Sequence, residues 1–474
     1  MKASRVLIPG KFVVIHAGHI RLFRLARELG DATTIALDIS DLHEDEIKWR
    51  INALSSMEYV DEVVTFSNDL SSTLSKFKPE IVLKGQEFAS VINHEQKYIE
   101  SYGGRLVFGS GSSFFSQDDL FKNNKDDLKI DFSKEVTEYL VRNSINKEKL
   151  TATLKKMQKI RTCVIGDLIV DEIINCHPIG MSQEDPTIVV TKVDSLRYIG
   201  GAGIVAGHCS ALGSVTTLIT VTGKDVIGTW SLSELKNKIS NVVNFVDASR
   251  PTTLKQKFKS GKQVLMKLNQ FNQSFVSPEI ENKIYEYFSK NVKNIDLLIL
   301  SDFSYGAISE NLAQSLIMKA KETNIIVAAD SQTSSQLGNL AKFKGADLVT
   351  PTEIEARIEM RDEVSGLAVL GENLRNKLEL ESVLLKMGPD GVLVQGRDQN
   401  NKLIRTDQVP ALNKKPIDTS GAGDSMLASA SLALAAGETL YIAAFIGSVM
   451  AGLQVSRIGN IPISQEAIRN SLLM

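Results

Sequence analysis

Two short stretches of this chain carry residue types and spacings suited to work on phosphate. In Asp418-Thr419-Ser420-Gly421-Ala422-Gly423-Asp424, the small residues Gly421, Ala422 and Gly423 bring their backbone N–H groups to a loop that enters an apolar helix over 425–436. Small side chains let a phosphate approach the backbone, amides at a helix start point at it, and the helix dipole favours negative charge there. Such amides suit the charge that develops in phosphoryl transfer, and Asp424 beside them can take a hydroxyl proton. A Gly-Ala-Gly turn alone is more often only a tight loop, so the assignment rests on its surroundings. The second stretch, His16-Ala17-Gly18-His19, sets two imidazoles around a glycine at a strand-to-helix turn, where they can stabilise charge on a nucleotide phosphate.

The elements that must position these groups read as α/β. Residues 4–8 form an apolar run ended by Pro9-Gly10, and Leu22, Leu25, Ala26 and Leu29 then recur with helical spacing over 20–30. This is a strand, a loop and a helix, with the histidines at the helix entrance. Farther on, short apolar runs at 163–170, 297–300, 325–329, 347–349, 383–386 and 392–394 alternate with helical patterns, which predicts a mainly parallel sheet covered by helices. Runs at 187–199, 215–221, 253–259 and 263–268, the last two around Ser260-Gly261, predict the strands of a small β lid. Between the two regions, 122–131 is polar and charge-rich. Val136, Leu140, Val141, Leu150, Leu154 and Met157 then recur periodically, predicting a linker followed by one or two connecting helices. The expected domains are 1–120, a join over 121–161, and 162–474.

Composition agrees with a chain of two or three domains. A chain of 474 residues exceeds one ordinary core. A net charge of −2 gives no electrostatic footprint for nucleic acid or a membrane surface, and no apolar run reaches the length of a membrane span. Cys163, Cys176 and Cys209 are odd in number and lack a Cys-x-x-Cys spacing, which points to a reducing cytoplasm rather than a disulfide framework or a zinc site.

The second domain resembles the ribokinase-type sugar kinases over nearly its whole length. Asp418-Thr419-Ser420-Gly421-Ala422-Gly423-Asp424 is similar to their Asp-Thr-x-Gly-Ala-Gly-Asp signature, by which Asp424 is the catalytic base and Gly421, Ala422 and Gly423 form the anion hole. Gly166-Asp167-Leu168-Ile169-Val170-Asp171 resembles the opening strand, implying that Asp171 grips sugar hydroxyls, and Gly200-Gly201-Ala202-Gly203 resembles the first glycine signature, where the backbone approaches the sugar. Lys386-Met387-Gly388-Pro389-Asp390-Gly391 keeps Gly388 and Gly391 of the nucleotide loop, with Lys386 at its start. Glu355 remains in the phrase tied to the metal–phosphate environment, where Thr352 replaces asparagine. Two further positions depart from the family: Ile204 replaces an asparagine, and Gln332 follows Asp330-Ser331 where a lysine is usual. Met181-Ser182-Gln183-Glu184-Asp185-Pro186 resembles a phrase of the heptose-7-phosphate kinase half of bifunctional heptose kinase/adenylyltransferases.

The first domain resembles the Rossmann-like cytidylyltransferase-type nucleotidyltransferases. Gly10-Lys11-Phe12-Val13 and His16-Ala17-Gly18-His19 match their strand-loop-helix, except that Val13 stands where the family has aspartate. Pro79-Glu80-Ile81-Val82-Leu83-Lys84-Gly85 matches the phrase ending in their Lys-Gly loop. The resemblance implies catalytic roles for His16 and His19 and nucleotide contacts from Gly10, Lys11, Phe12, Lys84 and Gly85. In the last family phrase, Gly111-Ser112-Ser113-Phe114-Phe115-Ser116 keeps hydroxyls but adds two phenylalanines. Together the resemblances imply a bifunctional enzyme using ATP and Mg²⁺. It would phosphorylate a sugar phosphate, heptose 7-phosphate, at the anomeric hydroxyl and then transfer a nucleotidyl group from ATP or CTP to the product. A homodimer through the kinase domain is implied as well. The two halves stand in the reverse of the resembled order. A kinase with a catalytically degenerate first domain, and a non-catalytic sugar or nucleotide sensor, are the competing readings.

Overall fold

The computed structural model describes residues 4–13, 15, 17–40, 42–57, 59–67, 69–85, 93–109, 132–261, 263–332, 338–397 and 404–472. His16 and the 111–116 phrase lie outside them. The chain divides into two compact units, Met1–Asp126 with Gly261–Gln263, and Asp127–Ser260 with Val264–Met474.

The first unit is a parallel sheet of β1 (Arg5–Gly10), β2 (Ala32–Asp38), β3 (Glu62–Phe66), β4 (Ile81–Gly85) and β5 (Arg105–Gly109), in the order β3-β2-β1-β4-β5. Side chains of β1 alternate between two apolar clusters: Val6 and Ile8 meet Phe23 and Ala26 of the helix Ala17–Leu29, whereas Leu7 meets Leu74, Val82 and Ile99 on the other face. Burial on both faces explains why the strand reads as an unbroken apolar run. Pro9 and Gly10, expected to end the strand, belong to it and pair with Ala36 and Leu37 of β2. On its other side β1 pairs with β4 at Val6 and Leu7, so Pro9 stands past that ladder, where a missing N–H is tolerated.

The second unit holds a nine-stranded sheet and a four-stranded lid. The large sheet contains β6 (Arg161–Gly166), β9 (Val215–Thr222), β10 (Asn241–Val246), β13 (Leu297–Asp302), β14 (Ile326–Ser331), β15 (Leu348–Val349), β16 (Ser382–Lys386), β17 (Val392–Arg397) and β18 (Ile404–Val409). Their order is β10-β9-β6-β13-β14-β15-β16-β17-β18, parallel as far as β16 and antiparallel beyond it. Strand β13 shows the layering: Leu297 and Ile299 enter one apolar cluster, Leu298 and Leu300 the opposite one, and all four are fully buried. Each such side chain contributes about 1.5–3 kcal/mol of transfer free energy. The lid is β7 (Leu168–Met181), β8 (Ile188–Gly201), β11 (Thr253–Ser260) and β12 (Gln263–Gln270), ordered β12-β11-β7-β8.

Three sequence expectations change here. The 215–221 run is not a lid strand: β9 pairs in parallel with β6, and its Leu218 and Ile219 are buried on opposite faces of the large sheet. The 163–170 run divides between the two sheets at Gly166-Asp167. A side chain at Gly166 would meet the Ser301 carbonyl oxygen at 1.9 Å, and the Asp167 carboxylate accepts N–H bonds from Phe303, Tyr305 and Ala307 at 2.8, 3.2 and 2.9 Å. The helices Lys134–Arg142 and Lys147–Met157 lie inside the second unit rather than standing apart as a join. Val136, Tyr139, Leu150, Leu154 and Met157 enter its core, and the Tyr139 hydroxyl donates to the Tyr441 carbonyl at 2.8 Å.

The helix Ala422–Ala435 is buried almost all round, so its sequence lacks the one-sided periodicity of a surface helix. Its alanines and serines admit the neighbouring helix Leu440–Gln454 closely. The buried hydroxyls of Ser425, Ser429 and Ser431 bond to carbonyls within the helix, at 2.9, 2.7 and 2.5 Å. No helix among the described residues is long and apolar enough to cross a membrane, and all three cysteines are buried and free.

Candidate active sites

In the second unit a cleft of about 890 Å³ lies where the C-terminal ends of β14 and β16 meet the lid and the start of the helix Ala422–Ala435. Its walls bring together Asp171, Gly201, Glu355, Lys386, Gly388, Gly391, Gly421, Ala422, Gly423 and Asp424. These positions are spread over more than 250 residues of sequence. Gly200 stands behind Asp171, whose Oδ2 is 2.5 Å from where a Cβ on Gly200 would lie, so a side chain there would push the carboxylate away.

The helix begins three residues earlier than expected. Gly421 is its N-cap in the left-handed region, at φ 77°, and Asp424 therefore sits within the first turn rather than ahead of it. Glycine is needed at 421 twice over, because a Cβ would also stand 2.2 Å from Asn460 Oδ1. First-turn amides have no partner four residues back, so those of Gly423 and Asp424 suit an anion, while the Ala422 N–H makes a long 3.5 Å bond to the Thr419 carbonyl.

Around Asp424 the structure builds a compact polar centre. Gln332 Nε2 donates to Asp424 Oδ1 at 2.6 Å, and the Asn460 side chain lies beside the same carboxylate. Burial pushes the Asp424 carboxyl up, to about 6. Lys386 and the two amides oppose that shift, and Asp171 adds to it. Lys386 Nζ lies 2.8 Å from Asp330 Oδ2, and a Cβ on Gly423 would stand 3.1 Å from the same ammonium. The lysine placed by sequence at the nucleotide loop thus reaches Gly423 at the helix start. Burial pushes Asp330 up, to about 7, against the pull of Lys386.

Glu355 lines the cleft but also serves its own helix. In a capping box its Oε2 accepts the Thr352 N–H at 2.7 Å, while Thr352 Oγ1 accepts the Glu355 N–H at 3.2 Å. Threonine in place of asparagine is therefore a good helix cap. Among the described residues no group of three or more histidine, cysteine, aspartate or glutamate side chains could hold a metal alone. A magnesium ion here fits as a phosphate-bound ion touching one carboxylate, which is its usual habit.

Sequence reading missed Lys255, Lys257 and Lys267, which line the lid side of the cleft. The signal was present: Lys255 and Lys257 are two residues apart on β11, a spacing that puts both on one face. In register, Lys255 sits opposite Asp171 on β7. Burial raises the Asp171 carboxyl, with Lys255 and Lys257 pulling it back.

In the first unit the strand order reverses between β1 and β4, the crevice where doubly wound sheets take ligands. Gly10 and Gly85 end those two strands on the same side. Lys11 lies just beyond β1 and Phe12 follows in the left-handed region, at φ 44°. The Phe12 ring is buried and meets the His19 ring edge-on at 5.1 Å, which ties the loop to the first turn of the helix Ala17–Leu29. Gly10, Phe12 and His19 are thereby gathered: a Cβ on Gly10 would stand 3.0 Å from the Phe12 ring. Lys84 pairs with Glu95, and its Nζ donates to Asn93 Oδ1 at 2.9 Å.

Comparison with known proteins agrees with both units. The pfkB family carbohydrate kinase profile matches residues 159–467, and the cytidylyltransferase-like profile matches residues 7–189. The protein named Bifunctional protein HldE from Syntrophotalea carbinolica is 27% identical over 67% of this chain, and its namesake from Geobacter sulfurreducens is 29% identical over 66%. The matched stretches span 64% and 63% of those relatives' own lengths. Arabidopsis thaliana ribokinase, solved with ribose and ATP, superposes with a TM-score of 0.52 at 15% identity. Phosphofructokinase-2 from Escherichia coli, solved with potassium, superposes at 0.53 and 18%. These alignments cover 67% and 66% of this chain and 99% and 98% of the solved chains, and they establish the shared kinase fold.

Proposed function

Because the chain belongs to the pfkB family of carbohydrate kinases, we propose that its second unit transfers the γ-phosphoryl group of ATP to the anomeric hydroxyl of a sugar phosphate, heptose 7-phosphate. The observation that carries this reading is the buried Asp424 carboxylate in the first helical turn beside Gly421, Ala422 and Gly423, with Lys386 reaching Gly423. The hydroxyl proton passes to Asp424 as the sugar oxygen bonds to the γ-phosphorus. The bond from that phosphorus to the bridging oxygen breaks, and ADP leaves. First-turn amides and Lys386 stabilise the charge spread over the transferring group. Magnesium, when bound with the nucleotide, supplies charge neutralisation of the phosphates, and Glu355 is the residue that would hold it. Asp171 orients sugar hydroxyls, Gly388 and Gly391 form the nucleotide loop, and Lys255, Lys257 and Lys267 suit a substrate that already carries a phosphate. Incubation with ATP, magnesium and a panel of sugar phosphates, with products read by mass, tests the assignment. Heptose 7-phosphate should give a bisphosphate, and no phosphorylated product from any sugar phosphate would overturn it.

The first unit is proposed to pass a nucleotidyl group to the anomeric phosphate of a sugar 1-phosphate, as its cytidylyltransferase-like match supports. A sugar-phosphate oxygen would attack the α-phosphorus of ATP or CTP and displace pyrophosphate, with His16 and His19 stabilising the charge. His19→Ala is expected to remove pyrophosphate release and leave ADP release by the kinase unchanged, since the two cores are separate. One observation favours a degenerate first unit: Lys84 is engaged by Glu95 and Asn93, and Val13 supplies no carboxylate. Absence of pyrophosphate release with every nucleoside triphosphate would select that reading.

A homodimer through the lid is proposed as well. Val264, Met266 and Leu268 recur at period two on β12 and are 42, 52 and 50% exposed, while Lys267 and Asn269 of the same strand line the cleft. The full chain is expected to sediment as a dimer at micromolar concentration, and Met266→Glu with Leu268→Glu to give monomers. A wild-type monomer would exclude the arrangement.

A further inference from the structure

We propose that Gln332 is a positioning residue for the base: its amide holds Asp424 Oδ1 and so leaves the carboxylate's second oxygen to face the sugar hydroxyl. The proposal rests on Asp424 being the kinase base. Its foundation is geometric. Gln332 follows the last residue of β14 and lines the cleft, and its 2.6 Å bond to Asp424 joins the edge of the sheet to the first turn of the helix Ala422–Ala435. Strand β14 is itself anchored, because Ser331 Oγ donates to the buried Asp302 at 3.0 Å and the Gln332 N–H donates to the Asp302 carbonyl at 3.0 Å. The amide therefore arrives at the carboxylate from a fixed backbone.

An amide donor also sets the charge state of what it holds. Asp424 is faced by Lys386 from the end of β16, Asp330 from β14, Asp171 from β7 and Asn460 from the loop after the helix Leu440–Gln454, while Glu355, Asp418, Lys255, Lys257 and Lys267 line the same cleft. Burial and the carboxylates of Asp171 and Asp330 favour protonation of Asp424 against the pull of Lys386, and protonated Asp424 cannot accept a proton. Gln332 donates without adding charge, so it keeps the base ionised while leaving a place for the substrate. A hydrogen bond to an ionised group shifts its pKa by about one to two units.

The test titrates Asp424 directly in the full-length protein, with no sugar present. The carboxylic-acid C=O stretch is followed by infrared difference spectroscopy, using Asp424→Asn as the blank. Gln332→Leu is expected to move the midpoint up by about one to two units, and Gln332→Lys to move it down. With the sugar phosphate found by the product screen, the acid limb of kcat/KM should move in the same two directions. KM for ATP should change less than twofold. Midpoints within about 0.3 unit of wild type in both variants would overturn the proposal, whatever happens to turnover. Failure of the base assignment reads differently: Asp424→Asn would keep full turnover while the infrared midpoints still moved. Melting curves of both variants matching wild type show that the fold is retained; should Gln332→Leu not fold, Gln332→Met gives the same reading.

Discussion

Asp424→Asn is expected to lower turnover of sugar phosphorylation by about 10²–10⁴-fold, the usual span for removing a general base. Asparagine keeps the shape of aspartate and removes its capacity to take a proton. The fold should tolerate the exchange, because the carboxylate is buried and pushed up to about 6, so a neutral amide relieves a desolvation cost. ATP affinity should hold, since the backbone amides of the first turn are unchanged. The pH dependence gives an independent check. A base raised to about 6 is ionised and active above that pH, so wild-type kcat/KM should fall as pH drops below about 6, approaching tenfold per unit. The residual rate of Asp424→Asn should lack that limb. ADP release measured across pH 5–8 decides the matter, and an unchanged turnover number would exclude Asp424 as the base.

How much of this was legible beforehand follows from the kind of constraint involved. The small-residue turn at the helix start could be read because it is local: Gly421, Ala422, Gly423 and Asp424 are consecutive, and one helical turn sets their geometry. The buried strands could be read because both faces are apolar, as in Leu297–Leu298–Ile299–Leu300. Polar contacts between distant elements left no such trace. Gln332 is 92 residues from Asp424, and in sequence it looked like the loss of a family lysine rather than the gain of a partner. Likewise Lys386 belonged to a nucleotide-loop phrase, whereas its ammonium reaches back to Asp330, 56 residues earlier. The 215–221 run was misplaced because alternation tells how a strand is buried, not which sheet buries it. The helices at 134–157 followed a charged segment and so read as a join. Their apolar faces were visible, but the core that receives them is built from the far end of the chain, at Tyr441 and Phe445.

Lys386→Met separates the two parts that this lysine plays. As a cation beside Gly423, it should contribute about as much as one donor of an anion hole, so its loss is expected to lower turnover by about 10²–10³-fold. As the partner of Asp330 it also supports the fold. The Asp330 side chain is 2% exposed and that of Lys386 13%, so removing the ammonium leaves a carboxylate buried without its ion pair, at a cost of about 3 kcal/mol. The sign of the pH effect follows from Asp330. Its folded pKa is already raised to about 7 by burial, above an unfolded value near 3.8, and without Lys386 it rises further. Below the unfolded value the carboxyl is protonated in both states and costs nothing extra. As pH rises past that value the unfolded chain ionises freely while the folded one resists, so the variant's loss of melting temperature should be larger at pH 8 than at pH 5. Adding Asp330→Asn removes the stranded charge. The double variant should regain most of the lost melting temperature and little of the lost turnover. Calorimetry and ADP release on the same four proteins make this a double-mutant cycle, and recovery of turnover along with stability would mean that Lys386 acts through the fold alone.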